Sequence, residues 1–408
     1  MRVRLALTGW VVLLVVAWVW GLALPADDLH LDAIPLYGRW ELAPIWRLAA
    51  PVAVGAAAAL VLPELAARWP WRRVLGAVAV TAIGWSLALA AVDGASGFAD
   101  IGQAYGRHIG LVDDRGGPVA FLRGYVEHQD AVPVHLQAHP PGLVLTLWAS
   151  ARAGLSGAGW ETALAMAGVA AAAVAVLVIA RDVVSERFAR AAAPFVVLAP
   201  AAVWHTNADV IFGGLALTGV ALVVVARRWP LAAAGGAVFG LSLLFSYGLA
   251  LLAVPIAVVA LWRRRAVLAS AAAAGAVVVA LPSLWGFWWP DGLAATRVQY
   301  DAGVGADRPY AYFLLANLAV FALAVGPAVA AGLARLRDQR AWLVVGSGLA
   351  AVLVADLSGL SSAETERIWQ PFMPLVLLAG AALTSSRRWL VLQVAVAVVL
   401  QAALRSPW

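Results

Sequence analysis

Ala163-Leu-Ala-Met-Ala-Gly-Val-Ala-Ala-Ala-Ala-Val-Ala-Val-Leu-Val-Ile-Ala180 runs for eighteen residues without a charge and is closed by Arg181-Asp182. As a helix it covers about 27 Å, close to the ~30 Å hydrocarbon core of a bilayer. Working outward from it, comparable apolar stretches fall at 5–24, 48–66, 74–92, 161–180, 191–206, 209–226 and 231–246. Others fall at 248–262, 267–285, 311–333, 341–358, 370–385 and 388–404, which makes about thirteen. The expected fold is all-α, a polytopic transmembrane helix bundle forming a single domain over 1–408. Hydrophobic residues make up 63% of the chain and charged residues 12%, which excludes a water-soluble fold.

The distribution of charge orients the bundle. With the N-terminus cytoplasmic, inner loops hold 18 of the 28 Arg, including Arg181, Arg187, Arg190, Arg263, Arg264 and Arg265, and only four acids, a net of +14. The outer side keeps the other ten Arg and 18 acids, a net of −8, so the loops follow the positive-inside rule. The same rule decides the ambiguous stretch 142–157. Counting it as a crossing would put Arg181, Arg187 and Arg190 outside, so it is expected to lie as an interfacial or re-entrant helix on the outer face. The first run follows Met1-Arg-Val-Arg and ends at Leu24-Pro25 without a small-residue cleavage signal, as a retained signal anchor does.

Every basic residue other than His is Arg, and Arg placement explains the basic pI as topology, leaving no argument for nucleic acid. Cys is absent, so thiolate nucleophiles, thiolate metal sites and disulfides are excluded. Chemistry must come from carboxylates, His, Arg or hydroxyls. These gather in three outer loops, 93–160, 286–310 and 358–369.

In the first loop Asp93 ends a long apolar helix, where desolvation favours a basic carboxylate, although a solvated helix end looks the same in sequence. Phe121-Leu-Arg-Gly-Tyr125 supplies Arg123 and Tyr125. His135 and His139 belong to His135-Leu-Gln-Ala-His-Pro-Pro-Gly142, in which two prolines fix the backbone that aims His139. With His108 and His128 there are four His in this loop, but their spacing fits no compact ligand motif and no metal is expected. The third loop reads Ser361-Ser-Ala-Glu-Thr-Glu-Arg-Ile-Trp-Gln-Pro371, whose Glu364, Glu366 and Arg367 are costly near lipid unless they face a polar cavity. In the tight turn Trp204-His-Thr-Asn-Ala-Asp209, Asp209 either caps the next helix or points into that cavity.

A helix-end Asp, an outer loop closing on His-Pro-Pro, an apolar helix, and a late loop with Arg before a Pro-rich helix start together resemble the GT-C glycosyltransferase superfamily. The likeness is closest to its protein O-mannosyltransferase and aminoarabinose transferase-like branches and to actinobacterial-type members. The chain differs in two extra early spans, in Asp-Gly where Asp-Glu is usual, and in having no soluble domain expected after the last span. The resemblance implies an inverting transferase at the non-cytoplasmic face of the plasma membrane. Its donor is a polyprenyl-phosphate sugar and its acceptor a glycan, lipid or protein hydroxyl, with no further cofactor. It implies catalytic roles for Asp93, or Asp100 in its place, and for Asp209. Phosphate leaves without protonation, so one carboxylate base suffices, and a guanidinium such as Arg367 binds the phosphate. His139 and Arg123 stand in reserve for that role, and Tyr125, His135, Glu364 and Glu366 line the substrate site. A lipid-linked sugar flippase or other transporter, or a non-catalytic subunit of an envelope complex, is the competing expectation.

Overall fold

The computed structural model describes residues 1–263, 265–384 and 386–408, without side chains over 260–266. Arg264, counted above among the inner arginines, lies outside the described residues, as do the side chains of Arg263 and Arg265. The chain is 78% helical. The only named strands among the described residues are β1 (Arg39–Trp40) and β2 (Leu404–Arg405), paired antiparallel.

Among the described residues, eight helices are long and apolar enough to cross a membrane. Six of them are Arg2–Leu22, Ile45–Arg68, Ala158–Val183, Ala208–Val225, Gln339–Leu357 and Ser386–Ala403; the others begin at Trp71 and Val267. A ninth forms if Tyr310–Val325 and Pro327–Leu333, bent by 97°, are one span. The remaining apolar runs fall on shorter pieces: Glu186–Val197 with Pro200–Trp204, Trp229–Leu243, Tyr247–Val259 and Met373–Ala382. Prolines explain two of these breaks. Pro200 and Pro374 have no N–H to continue a ladder, and the chain restarts as a new turn at each. The Arg2–Leu22 helix turns Val11, Val12, Val15 and Val19 outward, an apolar face suited to hydrocarbon.

Helices touch through glycine where apolar side chains cannot drive association in lipid. A Cβ on Gly168 would stand 2.3 Å from the Val210 carbonyl oxygen, and one on Gly214 would stand 2.4 Å from that of Gly168. The Ala158–Val183 and Ala208–Val225 helices therefore meet backbone to backbone at the centre of the bundle.

The 97° break frees backbone groups that lipid cannot satisfy. Gln393, fully buried on the Ser386–Ala403 helix, answers both sides of it. Its Nε2 donates to the Val325 carbonyl at 2.8 Å, and its Oε1 accepts from the Ala328 N–H at 3.2 Å. Gln393→Leu strands both groups and is expected to cost about 1–3 kcal/mol. Thermal unfolding in nanodiscs checks this, and an unchanged midpoint removes the role.

Polar contacts sort by end. At one end Arg387 pairs with Glu64, Arg181 with Glu186 at 2.7 Å and Arg227 with Asp182 at 3.4 Å. Arg190 there donates to the carbonyls of Ala66 and Trp69. At the other end Arg405 reaches Glu41 at 3.7 Å, His30 reaches Asp307 at 3.8 Å and Arg308 donates to Leu29 O. The first set consists of residues assigned by charge to the inner loops, the second of outer ones. The stretch 142–157 holds the helix Gly142–Arg152, whose 11 residues span about 16 Å, too short to cross. Arg152 lies 5.3 Å above the Trp148 ring, and the Trp148 indole N–H donates to Asp113 at 3.0 Å.

Candidate functional site

The late loop sets its arginine by a strained approach. Ala363 and Glu364 take φ of 72° and 59°, the left-handed region that non-glycine residues rarely enter. Asn317 holds the loop there: its Oδ1 accepts from Ala363 N–H at 3.2 Å, and its Nδ2 donates to Ser361 O at 2.7 Å and to Asp356 at 3.0 Å. The one-turn helix Thr365–Ile368 follows, and from it Arg367 points inward with only 9% of its surface exposed.

Arg367 meets two carboxylates, Asp209 at 2.9 Å and Glu364 at 2.5 Å, and its guanidinium lies 4.6 Å above the Trp408 ring. Asp209 stands in the first turn of the Ala208–Val225 helix and is 3% exposed. The sequence left two roles open for it. Capping falls instead to Asn207, whose Oδ1 accepts from the N–H groups of Asp209 and Val210 at 2.8 and 3.3 Å, and this frees Asp209 for the arginine. Burial pulls the Arg367 pKa down, but Glu364, Asp209 and Asp100 together hold it above the ordinary value.

The first outer loop closes over this pair. Of the 44 residues that begin at Trp71, only Trp71–Ala90 form the crossing helix; the chain then kinks at Gly94, with φ of 65°. Beyond the kink Asp100 opens a short helix, and its carboxyl is pushed up to about 7, by burial first, against the opposing pull of Arg367. Asp209 and Glu364 add to the upward push, so Asp100, Asp209, Glu364 and Arg367 share one electrostatic environment. Tyr105, fully within this group, faces His135 and His139 at ring separations of 5.8 and 6.2 Å. His139 also packs on Phe212, one turn along from Asp209, at 5.3 Å.

Burial and Arg367 lower His135 to about 4 and His139 to about 3. Both are therefore uncharged near neutral pH. The expectation that His139 serves as a reserve cation gives way to a neutral imidazole, able to hydrogen-bond but not to balance a phosphate. Tyr125 acts on His139 from behind: its fully buried hydroxyl donates to the carbonyls of Leu136 at 2.7 Å and His139 at 2.9 Å. That is a positioning role, since the hydroxyl is spent on backbone. Arg123 is exposed and lies against the turn at Gly286, apart from the cluster.

Asp93 belongs to a second cluster. Its carboxylate pairs with Arg405 and accepts from Gln401 Nε2 at 3.0 Å, with Arg47 also near. The two clusters are joined by the last residues of the sequence. β2 carries Arg405 to Asp93, and Trp408, stacked 4.8 Å from Tyr37, covers Arg367. Nothing in the sequence marks Trp408 as a neighbour of Arg367, because that neighbour relation exists only once β2 has paired with β1.

Glu366 is fully buried behind Arg367. Its Oε1 accepts from the Tyr37 N–H at 3.1 Å, its Oε2 has no partner among the described residues, and burial pushes it up to about 7. A buried acid raised from 4.5 to about 7 favours the fold below its unfolded pKa and loses that contribution as pH rises through 7. Glu366→Gln mimics the protonated form, so it should be near neutral at pH 4 and stabilising at pH 8. Unfolding midpoints at the two pH values check this; equal shifts would refute it.

Among the described residues, several buried polar atoms around Arg367 have no hydrogen-bond partner: Arg367 Nε, His139 Nδ1, Glu366 Oε2 and the indole nitrogens of Trp369 and Trp408. Such atoms are costly unless a ligand or water meets them. Comparison with protein families, with curated proteins and with solved structures yields no match to the chain.

Proposed function

We propose that the chain is a membrane glycosyltransferase of the GT-C kind, moving a sugar from a polyprenyl-phosphate donor to an acceptor hydroxyl with inversion. The observation that carries this reading is a convergence. Asp100, His139, Asp209 and Arg367 come from four distant segments, yet they meet as one polar site at a helix end, with Asp209 and Arg367 buried and Asp100 and His139 half-buried. Thirteen crossings with a cytoplasmic N-terminus would put that site on the non-cytoplasmic face of the plasma membrane. The sorting of ion pairs by end supports the assignment.

In this reading Asp100 takes the base role rather than Asp93, whose carboxylate is engaged by Arg405 and Gln401. A pKa of about 7 suits a base at neutral pH. Asp100 removes the acceptor O–H proton as the acceptor oxygen bonds to the anomeric carbon. The bond from that carbon to phosphate breaks, and polyprenyl phosphate leaves as an anion. Arg367 offers its unpartnered Nε to that anion, and the less buried Glu364 yields its place on the guanidinium. Asp209 keeps Arg367 aimed.

One observation favours a transporter instead, since discontinuous helices like the 97° pair line many transport sites. That break is filled by the neutral Gln393, however, while the ionisable cluster lies at helix ends. Purified protein mixed with polyprenyl-phosphate sugars and a detergent extract of envelope acceptors separates the readings. A transferase releases polyprenyl phosphate, whereas a flippase moves the intact donor across proteoliposomes. Intact donor after prolonged incubation with every sugar tried would end the transferase reading.

A further inference from the structure

Away from Arg367, a cleft of about 370 Å³ opens between the first outer loop and the start of the Ala158–Val183 helix. Its volume lies within the range of small-molecule sites, about 300–1,000 Å³. Glu161 lines it, in the first turn of that helix, with only 6% of its surface exposed. Among the described residues its carboxylate has no ion pair or hydrogen bond, and burial alone is the force acting on it. A carboxylate with no protein partner is left to water or to a ligand that can donate to it.

The chain makes room for the Glu161 carboxylate. Gly102 and Gly106 are four residues apart on one face of the loop. A Cβ at Gly102 would stand 2.8 Å from Glu161 Oε2, and one at Gly106 would stand 2.3 Å from Oε1. The pair forms a notch that the carboxylate occupies. At 100° per residue Gly102 faces away from Asp100 on the Asp100–Ala104 helix, which turns the two onto different sides.

We infer that the Glu161 cleft is a binding site for a neutral, polyhydroxylated ligand of carbohydrate type. A carboxylate only accepts hydrogen bonds, so the ligand must bring donors. An ammonium would supply them, but Arg107 lines the same cleft and would repel it. Hydroxyls suit the polar part of the wall: Glu161 accepts, while Arg107 donates and Gln103 does both. Trp160 and Leu147 offer apolar surface to the C–H face of a sugar ring, and Trp160 is fixed by donating to Ser150 Oγ at 3.1 Å. This inference stands apart from sugar transfer, because it concerns binding at a second place and needs no donor.

The test uses the full chain in nanodiscs, with no lipid-linked donor present. A panel of methyl glycosides (mannoside, glucoside, galactoside and arabinofuranoside) is titrated by saturation-transfer difference NMR, with ethanolamine as the cationic probe. At least one glycoside is expected to bind saturably. Glu161→Gln should weaken it about tenfold or more, the effect of losing hydrogen bonds to a charged group. Gln103→Ala, at an exposed rim position, should weaken it less, and Glu64→Gln at the other end of the bundle should not change it. The proposal falls if no glycoside binds wild type, if Glu161→Gln binds as wild type does, or if ethanolamine binds and the glycosides do not. Should Glu161→Gln fail to fold, unchanged affinity in Gln103→Ala would equally overturn it. Transfer activity has no part in the readout, so loss of the transferase reading would leave these outcomes intact.

Discussion

Asp100→Asn should lower transfer from a polyprenyl-phosphate sugar about 10²–10⁴-fold, the usual contribution of a positioned general base. The amide keeps the volume and the hydrogen-bonding edge of the acid but cannot take a proton. Stability should not fall with activity. A carboxyl raised from 3.8 to about 7 adds stability only while it can be protonated, and that contribution is lost as pH rises through 7. The asparagine, always neutral, should therefore match wild type at low pH and be the more stable protein at pH 8. The rate of wild type should rise with pH around a midpoint near 7, and the residual rate of the variant should lack that limb. Asp93→Asn provides the contrast. It weakens the contacts to Arg405 and Gln401 that anchor the β2 end, and less than a tenfold loss of transfer is expected. If Asp93→Asn abolishes turnover while Asp100→Asn spares it, the base is Asp93.

Arg367→Met should destabilise the protein by about 3–5 kcal/mol, the cost of removing one partner from a buried ion pair. Asp209, 3% exposed, would be left charged and unpaired, and Glu364 would lose its nearest cation. The double variant Arg367→Met, Asp209→Leu should recover most of that loss, because an apolar pair of similar volume carries no desolvation penalty. It should not recover transfer. This separation distinguishes an arginine that serves chemistry from one that only staples the late loop to the Ala208–Val225 helix. Arg367→Lys sharpens the test, since an ammonium keeps the charge but cannot reach Asp209, Glu364 and a phosphate as one planar fork. Retained transfer in the double variant would assign Arg367 to structure alone.

How far the sequence led is clear from particular residues. The apolar runs told that the chain is built of long membrane-type helices, because hydrophobicity over a span is a local sum, although the structure holds eight or nine such helices among the described residues where thirteen runs were counted. The sequence also marked Glu364, Glu366 and Arg367 as costly near lipid and left Asp209 open between capping and the same cavity, and the structure brings all four to one region. Choosing between Asp93 and Asp100 was beyond the sequence. The choice turns on the kink at Gly94 and on β2, which delivers Arg405 to Asp93 from 312 residues away and brings Trp408 over Arg367. Likewise His139 could be read as a cation until its surroundings were known; burial makes it neutral. Hydrophobic runs and loop charges alone determined the membrane-embedded helical character of this chain, whereas tertiary packing decided which acid faces the arginine. The reason is physical: insertion depends on residue type summed along the chain, while pairing and protonation depend on atoms a few ångströms apart that only the folded backbone brings together.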